Sequence, residues 1–201
     1  MAAPAHDGGS LGRGARLRIL AAARTLFARQ GMGATSVNEL RAAARVSKRT
    51  LYEHFSSKDD LLLAYLEEIS LTGPVAAVLG REQLAPRARL LEFLATLADE
   101  NRPTAPDPVL AAATEFPDPD HRVHRAAAEQ GERLLARLHE LAAAAGATDP
   151  DQVARRLALV YAGAAARVLL DDPAAVVADA HGLAALILRD AIDRSGTDRS
   201  T

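Results

Sequence analysis

From residue 15 onward the apolar positions of this chain recur every three or four residues, with polar positions between them. Ile19, Leu20, Ala23, Leu26 and Phe27 mark the inner face of a helix over 15–30, which Gly31 stops. Ser36 and Glu39 form a capping box ahead of a short helix whose apolar side is Val37, Leu40 and Ala44. Ser47 caps a second short helix, whose inward pair is Leu51 and Phe55. Ser57 with Asp60 forms another capping box, opening a helix from 58 towards 72, and Gly73-Pro74 breaks it before a short turn reaching 80. Further on, Asp-Pro occurs at 107–108, 118–119, 149–150 and 172–173. Aspartate caps a helix and proline suits its first position, so these pairs predict helices over 108–114, 119–145, 150–170 and 173–193, preceded by one over 86–100. No segment alternates convincingly with period two. The expected fold is all-α with about nine helices. It divides into a leader (1–14), a three-helix unit (15–60), a larger helical unit (61–195) and a tail (196–201).

The second short helix turns an unusual set outward: Lys48, Arg49 and Tyr52 on one face, with Thr50 and His54 on its flank. A helix carrying such a set, braced by a preceding helix, suits the DNA major groove, where arginine and lysine pair with guanine edges. Charge agrees. Residues 1–60 hold ten Lys/Arg against five Asp/Glu, or +5, and residues 61–201 hold fourteen against twenty-one, or −7, together the chain's −2. A basic head on an acidic body fits a DNA-reading unit attached to one that does not touch DNA. The only two lysines, Lys48 and Lys58, fall in the head.

The stretch RVSKRTLYEHFSSKDDLL resembles the signature of TetR-family transcriptional regulators at Val46, Ser47, Thr50, Leu51, Tyr52, His54, Phe55, Lys58 and Leu61. Arg45 departs from the glycine usual in the family's turn, and Asn38-Glu39-Leu40-Arg41 stands where an Ile-Ala pair is commoner. An arginine can turn without positive φ, so the turn is expected to differ slightly or to gain a phosphate contact. The resemblance covers about the first third of the chain. It implies a helix-turn-helix domain followed by a ligand-binding and dimerisation domain, and a homodimer on a palindromic operator. It implies that Lys48, Arg49, Thr50 and Tyr52 face DNA, with His54 and Lys58 close to the backbone. Thr50, Tyr52 and Lys58 have the chemistry of phosphate contacts. Ser36 and Val37 open the supporting helix, where backbone N–H groups bind phosphate, and Arg45 and Ser47 complete the DNA-binding set. Repression is expected on family precedent alone.

Two wide apolar faces nominate the last two helices for self-association. Val153, Leu157, Val160, Tyr161, Ala164 and Val168 share one face of the helix over 150–170, and Leu159, Ala162, Ala166 and Leu170 another. Val176, Ala180, Leu183, Ala184 and Ile187 line the helix over 173–193. One short recognition helix reads few base pairs, and a two-fold dimer doubles them. Between head and dimer face, Phe93, Leu94, Leu97, Leu110, Phe116 and Leu138 are candidates for the lining of an effector cavity. Each is also what a plain core would contain. Few aromatics and few buried-looking polar residues point to an apolar effector of unknown identity.

Composition narrows the alternatives. Hydrophobic residues make up 49% and aromatics 3%, and alanine and leucine dominate, which favours helix over sheet. Cysteine is absent, which excludes disulfides and thiolate metal sites and is compatible with a cytoplasmic location. No apolar run is expected to reach the length of a membrane span, and the N-terminal residues lack a signal-peptide core. Their Gly, Ala and Pro content predicts a disordered leader, in which only Arg13 and Arg16 offer charge to a minor groove. Motifs for a phosphate loop, a thiol nucleophile, a zinc-protease helix or a serine triad are missing, so no enzyme and no cofactor is expected. The rival from another class is a helical-bundle metal-binding protein or enzyme built on His121 and His124, beside Asp118 and Asp120. A non-specific architectural DNA binder is a third reading, though such proteins usually carry net positive charge throughout.

Overall fold

A computed structural model describes residues 8–98 and 105–197, with side chains from 14 to 192. Among these residues there are ten α-helices, one 3-10 turn and no strand. α1 spans Gly8–Gln30, α2 Val37–Ala44, α3 Lys48–His54, α4 Lys58–Thr72 and α5 Pro74–Leu79. α6 (Pro86–Ala95) runs into the 3-10 turn at Thr96–Ala98, and α7 covers Pro108–Glu115, α8 Arg122–Ala144, α9 Pro150–Arg167 and α10 Pro173–Thr197. The expected all-α fold is the observed one, with the turn after Gly73-Pro74 long enough to count as a helix of its own.

Cap chemistry accounts for most boundaries. The Ser36–Glu39 box forms in both directions, with Ser36 N–H donating to Glu39 Oε2 at 2.8 Å and Glu39 N–H to Ser36 Oγ at 3.2 Å. Ser47 accepts from Thr50 N–H and Ser57 from Asp60 N–H, both at 3.0 Å. Asp107 and Asp149 cap α7 and α9, each ahead of a first-turn proline.

Five boundaries differ from expectation, one of them the end of α9, at Arg167 and not at 170. α1 begins at Gly8, so residues 8–14 of the expected leader are helical, while 1–7 lie outside the described residues. α6 ends at Ala95, and the end expected at 100 lies outside them too. Asp118-Pro119 starts no helix. Asp118 Oδ1 instead accepts from Asp120 N–H at 2.9 Å, closing an Asx turn, and His121 becomes the cap of α8. α10 runs past 193 to Thr197, and the tail beyond it is outside the described residues.

Two apolar cores result. One joins Ile19, Leu20, Phe27, Leu40, Leu51 and Phe55 of the head to Leu61, Leu62, Tyr65 and Leu66 of α4, and to Ala112, Val123 and Ala127 of α7 and α8. The other gathers α5, α6, the second half of α8, α9 and α10 around Phe93, Leu94, Leu138, Leu157 and Ala184. α4, α7 and the start of α8 therefore cover the back of the three-helix head.

Residues Lys58–Leu79 have the length and mean hydropathy, 1.4, of a membrane span, contrary to the expectation that no run comes near one. Gly73 leaves the helix there, at φ −68° and ψ 166°, and Leu61, Leu62, Tyr65 and Leu66 are buried against the head. The apolarity of α4 is that of a helix packed on the head's core.

Candidate nucleic-acid interface

α3 carries the candidate interface, and its orientation is set by what it buries. Leu51 is 1% exposed and Phe55, at the C-cap, 3% exposed, packed with Leu40, Ala44 and Phe27 as expected of core residues. Anchoring those two positions forces Lys48, Arg49 and Tyr52 outward into solvent. Lys48 Nζ sits 6.0 Å over the Tyr52 ring, holding charge and ring together as one surface. Thr50 is half-buried, its Oγ1 2.8 Å from Ser47 Oγ. His54 is half-buried on the flank, its ring 6.4 Å from that of Phe55.

The turn between α2 and α3 corrects one expectation. Arg45 adopts the left-handed conformation, φ 53° and ψ 49°, the only non-glycine described residue with positive φ. Its N–H donates to Ala42 O at 3.2 Å and Val46 N–H to Arg41 O at 3.0 Å, closing the end of α2. The turn is thus the one glycine would make, held at a conformational cost of roughly 1–2 kcal/mol for an L-residue. The Arg45 side chain is left exposed beside α3.

Two acidic residues missed in the sequence shape this face. Glu53 Oε1 accepts from Arg49 Nε at 2.8 Å across one helical turn, raising the guanidinium pKa, with the Arg49 side chain 89% exposed. The i,i+4 spacing was the available signal. Glu115, at the end of α7, accepts from the N–H groups of Met32 and Gly33 in front of α2, for which no local pattern exists. Lys58 reaches the same loop and donates to Gly33 O at 2.7 Å. Burial lowers the Lys58 pKa, opposed by the nearby carboxylates Glu115, Asp59 and Glu39. Glu39 itself is pulled down to about 2, first by its Ser36 hydrogen bonds and then by Gln30. Ser36 is exposed and Val37 half-buried at the start of α2. Arg16 stacks over Phe55 at 5.4 Å to the ring centroid, placing it within the head; the side chain of Arg13 lies outside the described residues.

The other predicted sets fare differently. Of the effector-cavity candidates, Phe93, Leu94, Leu97 and Leu138 are buried together in the body core, where Phe93 stacks on Tyr161 with centroids 5.5 Å apart. Phe116 packs against the head core and the His121 ring, and Leu110 is exposed. A cleft of about 230 Å³ lies between α7 and α9, lined by Pro106, Leu110, Glu115, Ala165 and Leu169 among others, so that of the six only Leu110 borders it. Of the dimer-face candidates, Val153, Leu157, Tyr161, Ala164, Val168, Ala180 and Ala184 are buried in the chain's own body core. Val160, Val176 and Ile187 are half-buried, and Leu183 is exposed. Apolar residues left in solvent in this region include Leu159 (73%) on the second face of α9, Leu170 (77%) just beyond its end, and Leu183 (53%) and Leu186 (51%) on α10.

The metal alternative finds its histidines in structural use. His121 Nδ1 accepts from Val123 N–H at 3.2 Å as the cap of α8, and His124 Nδ1 donates to Phe116 O at 2.8 Å. No group of three metal-ligating side chains occurs among the described residues.

A three-helix head with a braced, basic short helix on a helical body defines a helix-turn-helix DNA-binding protein. Comparison with known proteins narrows the class. Residues 19–65 match the model of bacterial regulatory proteins of the tetR family. The structure of SCO4454, a TetR-family transcriptional regulator from Streptomyces coelicolor, aligns with a TM-score of 0.80 at 32% identity, covering 89% of this chain and 96% of that one. The transcriptional regulator YjdC of Escherichia coli is 39% identical over 87 residues, 43% of this chain and 46% of its own length. The transcriptional repressor KstR2 of Rhodococcus jostii is 37% identical over 73 residues, 34% of this chain and 36% of its own. The match thus spans about half the length of YjdC and a third of KstR2. The chain belongs to the TetR family of transcriptional regulators, and is not an enzyme.

Proposed function

We propose that the chain is a homodimeric repressor that binds an inverted-repeat operator and leaves it when a small effector occupies the body. The observation that carries the DNA half is the outward set Lys48, Arg49 and Tyr52, fixed by the burial of Leu51 and Phe55. In this reading Arg49 and Lys48 read base edges. Thr50, Tyr52, Lys58 and the first amides of α2 after Ser36 hold phosphates. Arg49 leaves Glu53 on binding, exchanging one charge-assisted bond for another.

The dimer half rests on Leu159, Leu170, Leu183 and Leu186, four large apolar side chains in water on α9, just beyond its end and on the neighbouring α10. Single exposed leucines are ordinary; four on one pair of packed helices suit an interface. Repression follows the precedent of KstR2, which is named a repressor. The cleft between α7 and α9 is the favoured effector entrance. At about 230 Å³ it is below the roughly 300–1,000 Å³ of a drug-sized pocket, so binding has to widen it.

Selection of duplexes from a random-sequence pool tests the reading. An enriched inverted repeat with half-sites about one helical turn apart is the expected result. No enrichment at low salt would sink it. The double variant Leu159→Arg with Leu183→Arg is expected to sediment as a monomer and to lose the paired half-site; a dimer that persists places the interface elsewhere.

A further inference from the structure

The loop from α1 to α2 is held in place from outside the head. Glu115, the last residue of α7, accepts from Met32 N–H at 3.1 Å through Oε1 and from Gly33 N–H at 2.6 Å through Oε2. Gly31 takes φ 83°, and a Cβ there would meet Glu115 Oε1 at 3.0 Å, so the carboxylate lies directly against the loop backbone. Lys58 Nζ holds the other side through Gly33 O at 2.7 Å. Within the loop Met32 is buried, and Thr35 is buried and donates to Gly31 O at 2.7 Å. The loop is therefore a rigid piece, and it ends on Ser36, the cap of α2.

The opposite end of α7 is fixed to the body. Asp107 Oδ1 accepts from Val109 N–H at 2.9 Å and Leu110 N–H at 3.3 Å, and its Oδ2 accepts from the Tyr161 hydroxyl of α9 at 2.9 Å. One helix of eight residues, about 12 Å long, joins α9 to the loop in front of the DNA-facing pair. The cleft runs along its flank, and both Asp107 and Glu115 line that cleft.

We infer that Glu115 is a positioning residue for DNA binding, setting the head on the body through the Gly31–Thr35 loop. The inference rests on the DNA-binding reading above. A carboxylate taking two peptide N–H groups makes charge-assisted bonds, stronger than neutral ones and directional. A two-fold dimer reads its half-sites only when both heads keep the spacing of one helical turn, so loss of the clasp lowers affinity without touching a DNA contact.

The test uses the full chain and the duplex enriched by the wild type. Glu115→Ala removes both bonds, and Glu115→Gln keeps the shape while losing the charge and one acceptor. Anisotropy titrations give Kd, and stoichiometric titration above Kd gives the active fraction. The expected result is a roughly tenfold weaker Kd for Glu115→Ala, within the ordinary range of coupling between sites, a smaller loss for Glu115→Gln, and an unchanged active fraction. A merely structural role would lower the active fraction and leave the Kd of the active molecules alone, and that result overturns the inference. Equal Kd in wild type and both variants overturns it as well. If Glu115→Ala does not fold, Glu115→Gln decides by the same two quantities. A wild type that enriches no duplex removes the DNA-binding reading, and this one with it.

Discussion

α3 and α9 bury their apolar residues in different ways. α3 buries Leu51 alone along its seven residues, with Phe55 at its C-cap, and gives the rest of its surface largely to solvent. α9 buries Val153, Ala154, Leu157, Tyr161, Ala164 and Ala165, yet also exposes Leu159, with Leu170 in solvent just beyond its C-terminus. A helix with one narrow apolar stripe has one possible inside. A helix that is apolar around most of its circumference has several, and its neighbours choose among them. The head was therefore predictable in orientation, and the body only in helix content.

The largest expected effect tests the body. Phe93 is fully buried and stacked on Tyr161, so Phe93→Ala should cost about 3–5 kcal/mol in urea unfolding, as a tightly packed core does. A loss below about 1 kcal/mol would mean that Phe93 borders a space after all, restoring it to the effector lining. In the head, Arg49→Ala should narrow the gap between selected and scrambled duplexes by roughly 1–3 kcal/mol, whereas Lys58→Ala should weaken both alike and lower the salt slope by about one. Binding titrations at two salt concentrations separate them. If Arg49→Ala weakens both duplexes equally, Arg49 is a phosphate contact.

Arg45→Gly comes next. It relieves a left-handed arginine, and despite the added freedom of the unfolded chain the thermal midpoint should rise, by the equivalent of roughly 0.5–1 kcal/mol. A lower midpoint would show that the Arg45 side chain contributes more than its backbone strain costs. The smallest effect is local. The Glu39 pKa is depressed from its ordinary 4.5 to about 2, so the capping box favours the folded state above pH 4.5 and this contribution is lost as pH falls through about 2. Amide exchange at Ser36 followed between pH 5 and 2 should speed up beyond the intrinsic trend only towards the lower end. Loosening that is complete near pH 4 would place the Glu39 carboxyl at its ordinary value.

Two expectations for the body meet one limit. Residue spacing places Phe93, Leu94, Leu97 and Leu138 inward, and they are buried. It has no access to whether an inward face meets a void or another side chain, because that depends on residues from α9 and α10 arriving in the same place. The same limit applies to the dimer-face candidates. Val153, Leu157, Tyr161, Ala164 and Val168 form the more regular stripe on α9, and the chain's own body core takes it. Leu159, on the less regular stripe, stays in solvent. Asp118-Pro119 failed for a local reason instead, since an Asx turn competes with a helix cap for the same carboxylate.

The sequence by itself determined the helices, most of their caps and the outward face of α3, because these depend on neighbours one to four residues away. Residue type fixed the chemistry of that face before any packing was known. Only the tertiary structure decided which side of α9 is core, where the cleft lies, and that Glu115 holds a loop more than eighty residues behind it in the chain. Those outcomes require distant segments to meet, and nothing in the spacing of one segment encodes the arrival of another.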